Sequence, residues 1–403
     1  MLSTLIYRSR ARDLPGLNAL DGLLALARQR NTAMDVTGIL LFDGVHFVQL
    51  LEGPDAAVDA LFESIRQDSR HGNVVRLMRD QGAVRRFEGE AMGLIDMREL
   101  DRGQVSSRLL AKMKIKGPLS GSDDRVINIL TWYALARGTS HIVDGDDASN
   151  WRFVREAPPA DQAVPVAQGQ RYQFALQPIV NPMHREVSSF EFLIRGPGGG
   201  SPDELFSSVP PGQLHRIDLE SKALAFLLAG RLPLKDTKIA VNLLPMSLMA
   251  EPLAVEFLAD QILASGLSCH QVIVEVTEQE AVSSPSTFGG VIERLRRAGI
   301  GVAIDDFGAG FAGLSMLAEF QPDKLKIDRK IIQDIHLDGP RQAIVLAIVE
   351  ACSAMGITPV AEGVERVEEW CWLQAAGIQR FQGYLFARPA LNRMPEISWP
   401  ERL

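Results

Sequence analysis

The sequence predicts an α/β protein in which an N-terminal ferredoxin-like α+β sandwich is joined by helices to a C-terminal TIM-type (β/α)8 barrel. The first hundred residues read as strand-like and helix-like segments in the order β-α-β-β-α-β. In the second half, short apolar runs each end in a polar side chain and are separated by helix-like stretches. The length of 403 residues exceeds what one ordinary domain needs.

The elements of the N-terminal domain follow from apolar periodicity and one strong turn signal. Asp43-Gly44 lies between two strand-like runs and indicates a hairpin. The predicted strands are Leu2–Tyr7, Gly38–Phe42, Val45–Leu51, Asn73–Ala83 and Ala91–Asp96, and the predicted helices are Leu17–Asn31 and Ala56–Ser69. This order describes two helices packed over one face of a sheet.

A connector separates the two predicted domains. Arg102–Arg137 has helical periodicity and is interrupted at Gly117-Pro118, whereas the acidic and then Pro/Ala-rich stretch His141–Gln170 is typical of a linker. We therefore expect domains at residues 1–100 and 171–403, with a helical connector and linker at 101–170. About 230 residues suit a compact barrel.

The five apolar runs of the second half end in side chains that can bind a metal ion or an oxyanion. The runs are Lys238–Val241, Val272–Val274, Gly301–Ile304, Asp323–Leu325 and Ile357–Ala361. The polar residues at or just beyond their ends are Asn242, Glu275, Glu278, Asp305, Asp306, Lys326, Asp328 and Glu362. Because barrel strands all end at one mouth, this pattern favours an active site there.

The candidate ligands are oxygen donors only. With Glu191, the set lacks His and Cys, which favours Mg²⁺ or Mn²⁺ over zinc. The adjacent pair Asp305 and Asp306 suits two bridged metal ions, which can generate a hydroxide and stabilise the leaving oxygen of a phosphodiester. Lys326 adds a fixed positive charge. Taken singly, each glutamate is more often a loop hydrogen-bonder, and such a lysine is more often a solvated edge.

Composition narrows the classes of partner. A net charge of −8 argues against a surface for long nucleic acid and suits a carboxylate-rich pocket that binds divalent cations. The N-terminus turns polar too early for a signal peptide, and no apolar run reaches the ~20 residues of a membrane span, so we expect a cytoplasmic protein without a membrane partner. Cys269, Cys352 and Cys371 lie on apolar segments and are interpreted as buried free thiols.

Three polar residues of the N-terminal domain stand where apolar ones are expected. Tyr7 ends the first strand, Asn31 ends the first helix, and Gln49 interrupts Val45–Leu51. A buried Gln49 must find partners or cost roughly 1–3 kcal/mol, so it lies either on an exposed face or in a ligand network. Alternation alone favours the exposed face.

The second half resembles the EAL-domain cyclic di-GMP phosphodiesterases. The matching segments are Glu191-Phe-Leu-Ile-Arg195, Val241-Asn242, Glu275-Val-Thr-Glu278, Asp305-Asp-Phe-Gly-Ala-Gly310, Lys324-Leu-Lys-Ile-Asp328, Glu362-Gly-Val-Glu365 and Gln382-Gly-Tyr-Leu-Phe386. The resemblance covers roughly Arg171 to the C-terminus. It implies a TIM barrel that opens cyclic di-GMP to linear pGpG with two divalent cations, and a homodimer formed through the barrels.

The resemblance also implies roles for individual residues. Ligands of one metal are Glu191, Asn242, Glu275 and Asp305, and those of the second are Asp305, Asp306 and Glu362. The implied catalytic residues are Lys326, Asp306 and Glu278, and the implied substrate-binding residues are Gln177, Leu193, Arg195, Gln382 and Pro389. Glu278 is expected to pin the Asp306–Gly310 loop, whose glycines, with Gly313, allow it to move. The chain departs from the family pattern at Phe192, where the family's namesake tripeptide has alanine, and in its short Gly196–Gly200 segment.

The first hundred residues resemble a BLUF blue-light flavin domain. The matching segments are Leu5-Ile-Tyr-Arg-Ser9, Asn31 with Val36-Thr-Gly-Ile-Leu40, Phe47-Val-Gln-Leu-Leu-Glu-Gly53, Asp68-Ser-Arg-His71, and Arg85-Arg-Phe-Glu-Gly89 with Met92. The resemblance implies an FAD or FMN cofactor bound by Tyr7, Asn31, Gln49, Asp68, Arg70, His71 and Met92. Some members have a tryptophan two residues before the methionine, where this chain has Glu90.

Together the two resemblances predict a phosphodiesterase whose cyclic di-GMP hydrolysis responds to blue light. Three alternatives remain open at this point. In the first alternative, the barrel is a catalytically silent receptor for cyclic di-GMP. In the second, it is another metal-dependent phosphodiesterase or nuclease. Alternatively, the N-terminal block is a protein-interaction domain without flavin.

Overall fold

The computed structural model describes residues 2–12, 17–82, 85–98, 100–113, 124–135, 142–158, 164, 171–207, 209–278, 285–310 and 314–403. The chain divides into two compact units. The first consists of Met1–Gly145 with Asp334–Ala343, and the second of Asp146–Gln333 with Ile344–Leu403. The predicted helix break at Gly117-Pro118, residues 159–163 and 165–170 of the predicted linker, and Gly313 lie outside the described residues.

The first unit is built on one sheet. Its strands are β1 (Leu2–Ala11), β2 (Thr37–Phe42), β3 (His46–Pro54), β4 (His71–Gly82) and β5 (Gly93–Asp96). Among the described residues they run in the order β4-β1-β3-β2-β5, with β1 antiparallel to both of its neighbours and β5 parallel to β2. The predicted ferredoxin-like order is confirmed, and β5 extends it by one strand beside β2.

Both faces of this sheet are covered by helices. The helices are α1 (Leu17–Ala33), α2 (Asp55–Arg66), α3 (Arg102–Lys112) and α4 (Arg125–Leu135). Leu24 of α1 and Leu61 of α2 share a buried cluster with Tyr7. The preceding strand residue, Ile6, points to the opposite face and packs with residues of α3 and α4. The sheet is therefore buried between two helix pairs, and its neighbouring side chains serve different layers.

A segment distant in sequence completes the first unit. Within Asp334–Ala343, Asp338 forms an isolated parallel bridge with Arg76 of β4. The buried Arg8 of β1 donates hydrogen bonds of 3.0 Å to the Val143 carbonyl and to Gln342 Oε1. The chain continues from this segment into the remainder of helix α12 (Gly339–Met355).

The second unit contains a closed barrel. Its strands are β7 (Gln173–Asn181), β8 (Glu186–Arg195), β9 (Lys238–Asn242), β10 (Val272–Thr277), β11 (Gly301–Phe307), β12 (Lys324–Ile327), β13 (Thr358–Ala361) and β14 (Arg380–Phe381). β8 to β14 pair in parallel and in sequence order. β7 closes the ring by pairing antiparallel with both β8 and β14. The predicted barrel is confirmed, with the difference that its first strand is inverted because a short connection joins β7 directly to β8.

Helices connect the parallel strands of the barrel. Those described are α5 (Pro202–Ser207), α6 (Leu214–Arg231), α7 (Pro245–Ala250), α8 (Ala254–Ala264), α9 (Pro285–Arg297), α10 (Ser315–Phe320), α11 (Arg329–Ile332), α12 and α13 (Val367–Ala375). Part of the stretch interpreted as a linker forms strand β6 (Trp151–Glu156), which pairs with the C-terminal strand β16 (Ile397–Arg402). A second short strand, β15 (Ala390–Leu391), pairs with β7.

Small and branched residues fill the barrel just below its mouth. Ala240, Ile273 and Ala303 on three successive strands form a buried cluster. Each lies two residues before a polar residue on the same strand, namely Asn242, Glu275 and Asp305. Because side chains alternate along a strand, the polar layer faces the same way as the apolar layer beneath it. This alternation aims the polar side chains at the mouth.

The structure bears on two expectations from the sequence, namely the lack of a membrane span and the burial of the cysteines. Within the described ranges, no helix has both the length and the apolar character that crossing a membrane requires. The three cysteines are free thiols; Cys352 and Cys371 are buried as expected, whereas Cys269 is partly exposed.

Candidate active site and flavin pocket

The mouth of the barrel gathers carboxylates from several strands. Ligand oxygens of Glu191, Glu275 and Asp305 lie within 4.8 Å of one another, and so do those of Asp305, Asp306 and Glu362. Asp305 belongs to both groups. Asn242 lies beside the first group, where its amide nitrogen donates a 2.6 Å hydrogen bond to Glu191 Oε1.

A local irregularity of β11 lets two adjacent aspartates face one site. Neighbouring residues of a regular strand point to opposite faces. Here the pairing of β11 with β12 shifts register between Ile304 and Phe307, and Asp306 adopts a left-handed conformation with φ of 55°. Such a bulge re-aims a side chain, at a cost of roughly 1–3 kcal/mol for the strained residue. The sequence shows the two aspartates but not this bulge.

A single lysine lies at the centre of the carboxylates. Lys326 Nζ is 2.7 Å from Glu362, 2.9 Å from Glu275, 3.1 Å from Asp305 and 3.2 Å from Glu191. Its side chain is only 1% exposed, so the interpretation as a solvated edge is wrong. Four carboxylates surround one ammonium group and Asp306 lies in the same cluster, which leaves the site strongly negative.

The electrostatics of the site follow from this crowding. Burial raises the pKa of Glu275 and of Glu362 well above the ordinary carboxyl value, and neighbouring carboxylates add to the effect. Burial acts in the same direction on Glu191, but Lys326 and Gln382 outweigh it and lower its pKa. Burial opposes the charge of Lys326 too, yet the surrounding carboxylates raise its pKa well above the ordinary value.

The donor set fits divalent cations. Glu275 Oε1 and Gln382 Oε1 are buried and have no hydrogen-bond partner among the described residues. Buried polar atoms are nearly always paired, so unpaired oxygens beside surplus negative charge indicate a place for positive ions. Oxygen-only coordination suits Mg²⁺, Mn²⁺ or Ca²⁺.

Polar side chains extend the site into an open concavity. It encloses about 570 Å³ of space, part of it open to solvent, and Gln177, Gln382 and Glu191 line it. Gln382 Nε2 donates to Glu191 Oε2 at 2.7 Å and to Gln177 Oε1 at 3.2 Å. Besides two glycines, the structure adds three lining residues that sequence reasoning missed: Arg329, Glu365 and Tyr384. All three directly follow or lie within the quoted motifs, which was the available signal.

Some predicted substrate-binding residues lie outside this concavity. Leu193 and Arg195 follow Glu191 on the same face of β8 but do not line it, and Arg195 donates to its neighbour's carbonyl. Pro389 lines a different depression, beside Arg388. Phe192 points to the other face and is buried near Phe174, with 6.3 Å between the ring centroids.

Glu278 holds the loop that follows β11. Its Oε2 accepts hydrogen bonds from the backbone amides of Gly308 at 2.9 Å and Gly310 at 3.1 Å. Gly308 has a φ of 92°, a conformation that favours glycine. The carboxylate therefore holds the loop that begins just after Asp306.

The first unit contains a second pocket between α1, α2 and the sheet. It encloses about 870 Å³, part of it open to solvent. All the predicted flavin-binding residues line it: Tyr7, Asn31, Gln49, Asp68, Arg70, His71 and Met92. Arg30 and Phe47, which sequence reasoning missed, line it as well. The size suits the ring system of a flavin.

Tyr7 and Gln49 are direct cross-strand partners in the pairing of β1 with β3. The Tyr7 hydroxyl donates to Gln49 Oε1, and Gln49 Nε2 lies 3.5 Å from Met92 Sδ. Gln49 is 8% exposed, so the exposed-face alternative is wrong. Burial raises the pKa of Tyr7 further above its ordinary value, so the phenol remains a neutral donor.

The other pocket residues are held by local contacts. Asn31 donates a 2.6 Å hydrogen bond to the Ala91 carbonyl, and Ser9 Oγ lies 2.8 Å from His71 Nδ1. Arg70 pairs with Asp68 near the rim, where this ion pair lowers the pKa of Asp68 to about 2. Arg30 and Arg70 both line this pocket, and arginine side chains suit a phosphate-bearing tail.

Two family models match the chain and show to which protein family it belongs. The EAL domain model matches residues 161–389, and a model described as sensors of blue-light using FAD matches residues 2–93. The chain belongs to the EAL domain family. Its N-terminal domain is a BLUF photosensor domain, so the alternative of a protein-interaction domain without flavin is set aside.

Relatives with both domains cover the whole chain. The blue light- and temperature-regulated antirepressor BluF of Escherichia coli is 41% identical over 403 residues, with all of both chains covered. Structures of Klebsiella pneumoniae BlrP1 with cyclic di-GMP and calcium or manganese are 46% identical and cover all of both chains, with a TM-score of 0.91. A further BlrP1 structure contains FMN and cyclic di-GMP without metal ions. The cyclic di-GMP phosphodiesterase RocR of Pseudomonas aeruginosa is 37% identical over 158 residues, which is 39% of each chain.

Proposed function

We propose that this EAL-family chain hydrolyses cyclic di-GMP to linear pGpG with two divalent cations, and that a flavin in its BLUF domain makes the rate depend on blue light. The observation that carries the hydrolytic part is the pair of oxygen-only clusters that share Asp305. A shared carboxylate relieves repulsion between two dications held a few ångströms apart. Solved relatives bind cyclic di-GMP with manganese or calcium, and a named relative is a cyclic di-GMP phosphodiesterase.

Glu191, Asn242, Glu275 and Asp305 would hold one cation, and Asp305, Asp306 and Glu362 the other. When bound, such cations lower the pKa of water and stabilise the leaving oxygen of a phosphodiester. Lys326 contributes a positive charge that stabilises the developing charge on the phosphorus oxygens. Gln177 and Gln382 offer amide groups that orient a phosphate or guanine, and Glu278 keeps the loop just after Asp306 in place.

Light enters through the hydrogen bonds between Tyr7, Gln49 and Met92. An amide has both a donor and an acceptor, so rotation or tautomerisation of Gln49 rewires these contacts without moving charge. Strand β3, which carries Gln49, contributes Val48 and Leu50 to the cluster that contains α3 and α4. A change at the flavin would therefore reach these helices through adjacent residues of strand β3. Allosteric control also requires that the protein have two states that differ in these contacts.

The test is cyclic di-GMP hydrolysis by the purified, flavin-loaded protein in darkness and under blue light, with pGpG measured by chromatography. Linear RNA of similar length serves as a competitor for the rival nuclease function. Absence of pGpG formation at any Mg²⁺ or Mn²⁺ concentration would refute the hydrolytic part. Equal rates in light and darkness would refute the regulatory part.

Gln49→Leu separates the switch from the chemistry. The leucine retains the size of the side chain but removes both hydrogen-bonding groups, so basal hydrolysis should remain while the light-to-dark ratio falls to one. Gln67→Leu, at an exposed position on the end of α2, is the control. A preserved ratio in Gln49→Leu would exclude Gln49 as the switch.

A catalytically silent receptor is the second candidate, and the description of the E. coli relative as an antirepressor supports it. Such a role needs ligand binding without turnover. The unbroken set of oxygen ligands in this chain favours the enzyme, because a receptor has no need for two overlapping cation sites.

A further inference from the structure

A buried carboxylate outside the barrel mouth holds the segment that carries Asn242. Asp218 of α6 is 2% exposed. Its Oδ2 accepts a hydrogen bond of 3.0 Å from the Leu244 amide and one of 2.8 Å from Ser247 Oγ. Ser247, on the short helix α7, is fully buried. Asp218 therefore links α6 both to the turn just after β9, at Leu244, and to helix α7, at Ser247.

These contacts fix the backbone directly after Asn242. The Leu243 amide donates to the Glu275 carbonyl on β10 at 2.9 Å, and the next amide, Leu244, donates to Asp218. Pro245 then restricts Leu244 to an extended conformation. Two consecutive amides are thus held by different elements, one by the neighbouring strand β10 and one by Asp218 of α6. The direction of the Asn242 side chain depends on this segment.

Asn242 needs such support because its own side chain makes a single described hydrogen bond. Its amide nitrogen donates to Glu191, which leaves the amide oxygen as the atom that can bind a cation. A neutral amide binds a divalent cation more weakly than a carboxylate does. Small errors in its orientation therefore cost more affinity than they would for a carboxylate that can use either oxygen.

Lys222 neutralises the charge of the buried Asp218 and so stabilises it. Its Nζ lies 2.7 Å from Asp218 Oδ1, one helical turn along α6, and is itself buried. An unpaired carboxylate in this position would cost several kcal/mol. Because Lys222 occupies Oδ1, Oδ2 remains available for Leu244 and Ser247.

We propose that Asp218 is a positioning residue for metal binding: with Lys222 and Ser247 it holds Asn242 in the orientation that binds a divalent cation. This inference rests on the proposed assignment of Asn242 as a ligand. Residues that orient metal ligands typically contribute 10–100-fold to metal affinity. We therefore expect their loss to weaken Mn²⁺ binding more than it lowers kcat at saturating Mn²⁺.

The test compares two serine variants in the full, flavin-loaded chain kept in darkness. Ser247→Ala removes one donor to the Asp218 carboxylate. Ser221→Ala is the matched control, because Ser221 is equally buried and its described hydrogen bonds stay within α6. Its hydroxyl donates to the Asp218 backbone carbonyl at 2.6 Å and accepts from Lys222 Nζ at 3.1 Å, so this variant disturbs the Lys222 side of the ion pair but not the segment after Asn242. After removal of metal with a chelator, Mn²⁺ affinity is measured by isothermal titration calorimetry.

Ser247→Ala should weaken the tighter Mn²⁺ site by about tenfold, and Ser221→Ala should leave it within about twofold of the original protein. The double variant Asp218→Asn/Lys222→Met, which avoids an unpaired buried ammonium, should weaken binding at least as much. Should the double variant fail to fold, the serine pair alone decides. Unchanged affinity in Ser247→Ala, or equal losses in both serine variants, would overturn the inference.

The activity assay separates this inference from the proposed function. In Ser247→Ala, added Mn²⁺ should restore hydrolysis to near its original kcat. If the original protein binds Mn²⁺ in a Ser247-dependent way but forms no pGpG, the positioning role stands and the proposed hydrolysis fails. If it forms pGpG but Mn²⁺ affinity is independent of Ser247, the opposite holds.

Discussion

Buried polar side chains mark both sites of this protein at the scale of single residues. Gln49 and Lys326 each stand in an apolar strand, where an unpaired polar group would be costly, and each is paired in the structure. Their partners come from other strands: Tyr7 for Gln49, and four carboxylates for Lys326. Polar residues that contradict the local pattern were therefore the best single-residue signal of function.

Asp305→Ala is the most direct test at this scale. Because Asp305 is common to both carboxylate groups, its loss should lower hydrolysis by at least about 10³-fold and reduce the number of Mn²⁺ ions bound. The fold should persist, since the variant relieves repulsion among crowded carboxylates. We would measure hydrolysis, the number of Mn²⁺ ions bound by calorimetry, and thermal unfolding. The control is Asp260→Ala, at an exposed position on α8, measured in the same way. Near-normal hydrolysis in Asp305→Ala would contradict the metal assignment.

At the scale of elements, function depends on departures from regular structure. The bulge in β11 turns Asp306 toward the mouth, and Glu278 fixes the loop beyond it. In the first unit, the pairing of β1 with β3 sets Tyr7 opposite Gln49. Regular strands position the backbone, and the irregular strand end of β11 orients the side chain of Asp306.

Glu278→Gln tests the loop after β11. The amide retains the shape of the side chain but accepts hydrogen bonds from Gly308 and Gly310 without the assistance of a charge, which roughly halves their strength. We expect kcat/KM to fall about tenfold while unfolding temperature changes little. Glu319→Gln, exposed on α10, is the control. If both variants hydrolyse cyclic di-GMP at the original rate, the loop does not depend on Glu278.

His46 gives the first unit a predictable dependence on pH. Burial by itself would lower the pKa of His46, but hydrogen bonds with Asp144 and Asp43 raise it from 6.5 to about 9. Since the folded-state pKa is the higher one, the protonated ring stabilises the fold below pH 6.5. That contribution, at most about 3 kcal/mol, is lost as the pH rises toward 9.

The measurement is the free energy of unfolding of the first unit by denaturant between pH 6 and pH 9.5. The original protein should lose stability over this range, and His46→Gln should lose less. Other groups that titrate at high pH affect both proteins alike, so the difference between the two curves isolates His46. Parallel curves would contradict the assignment.

At the scale of the whole molecule, chain order and compact units do not coincide. Residues Asp334–Ala343 follow β12 and α11 in sequence but belong to the unit that contains the flavin pocket. A Cβ on Gly339 would lie 2.7 Å from Leu77 Cδ2 and 2.9 Å from the Arg76 carbonyl oxygen. Only glycine permits this close approach to β4 without displacement.

Gly339→Ala should therefore displace this segment from β4. We expect the light-to-dark ratio of hydrolysis to fall by at least about half, because the segment continues directly into α12, while hydrolysis in darkness persists. Gly290→Ala, in α9 with no atom near the added methyl group, is the control. An unchanged ratio in Gly339→Ala, with the flavin spectrum intact, would show that this segment does not contribute to regulation.

Local patterns in the sequence predicted the fold class and the order of the elements, because apolar periodicity and polar strand ends depend only on neighbouring residues. The motif resemblances added the polar residues that were predicted for the two pockets. Three features became visible only in the folded protein: the inversion of β7, the bulge at Asp305–Asp306 and the burial of Lys326 among four carboxylates. The folded structure also shows that Asp334–Ala343 belongs with the flavin-binding unit and that Asp218 supports the segment after Asn242. These features depend on which strands and helices meet, and contacts between residues distant in sequence leave no local pattern.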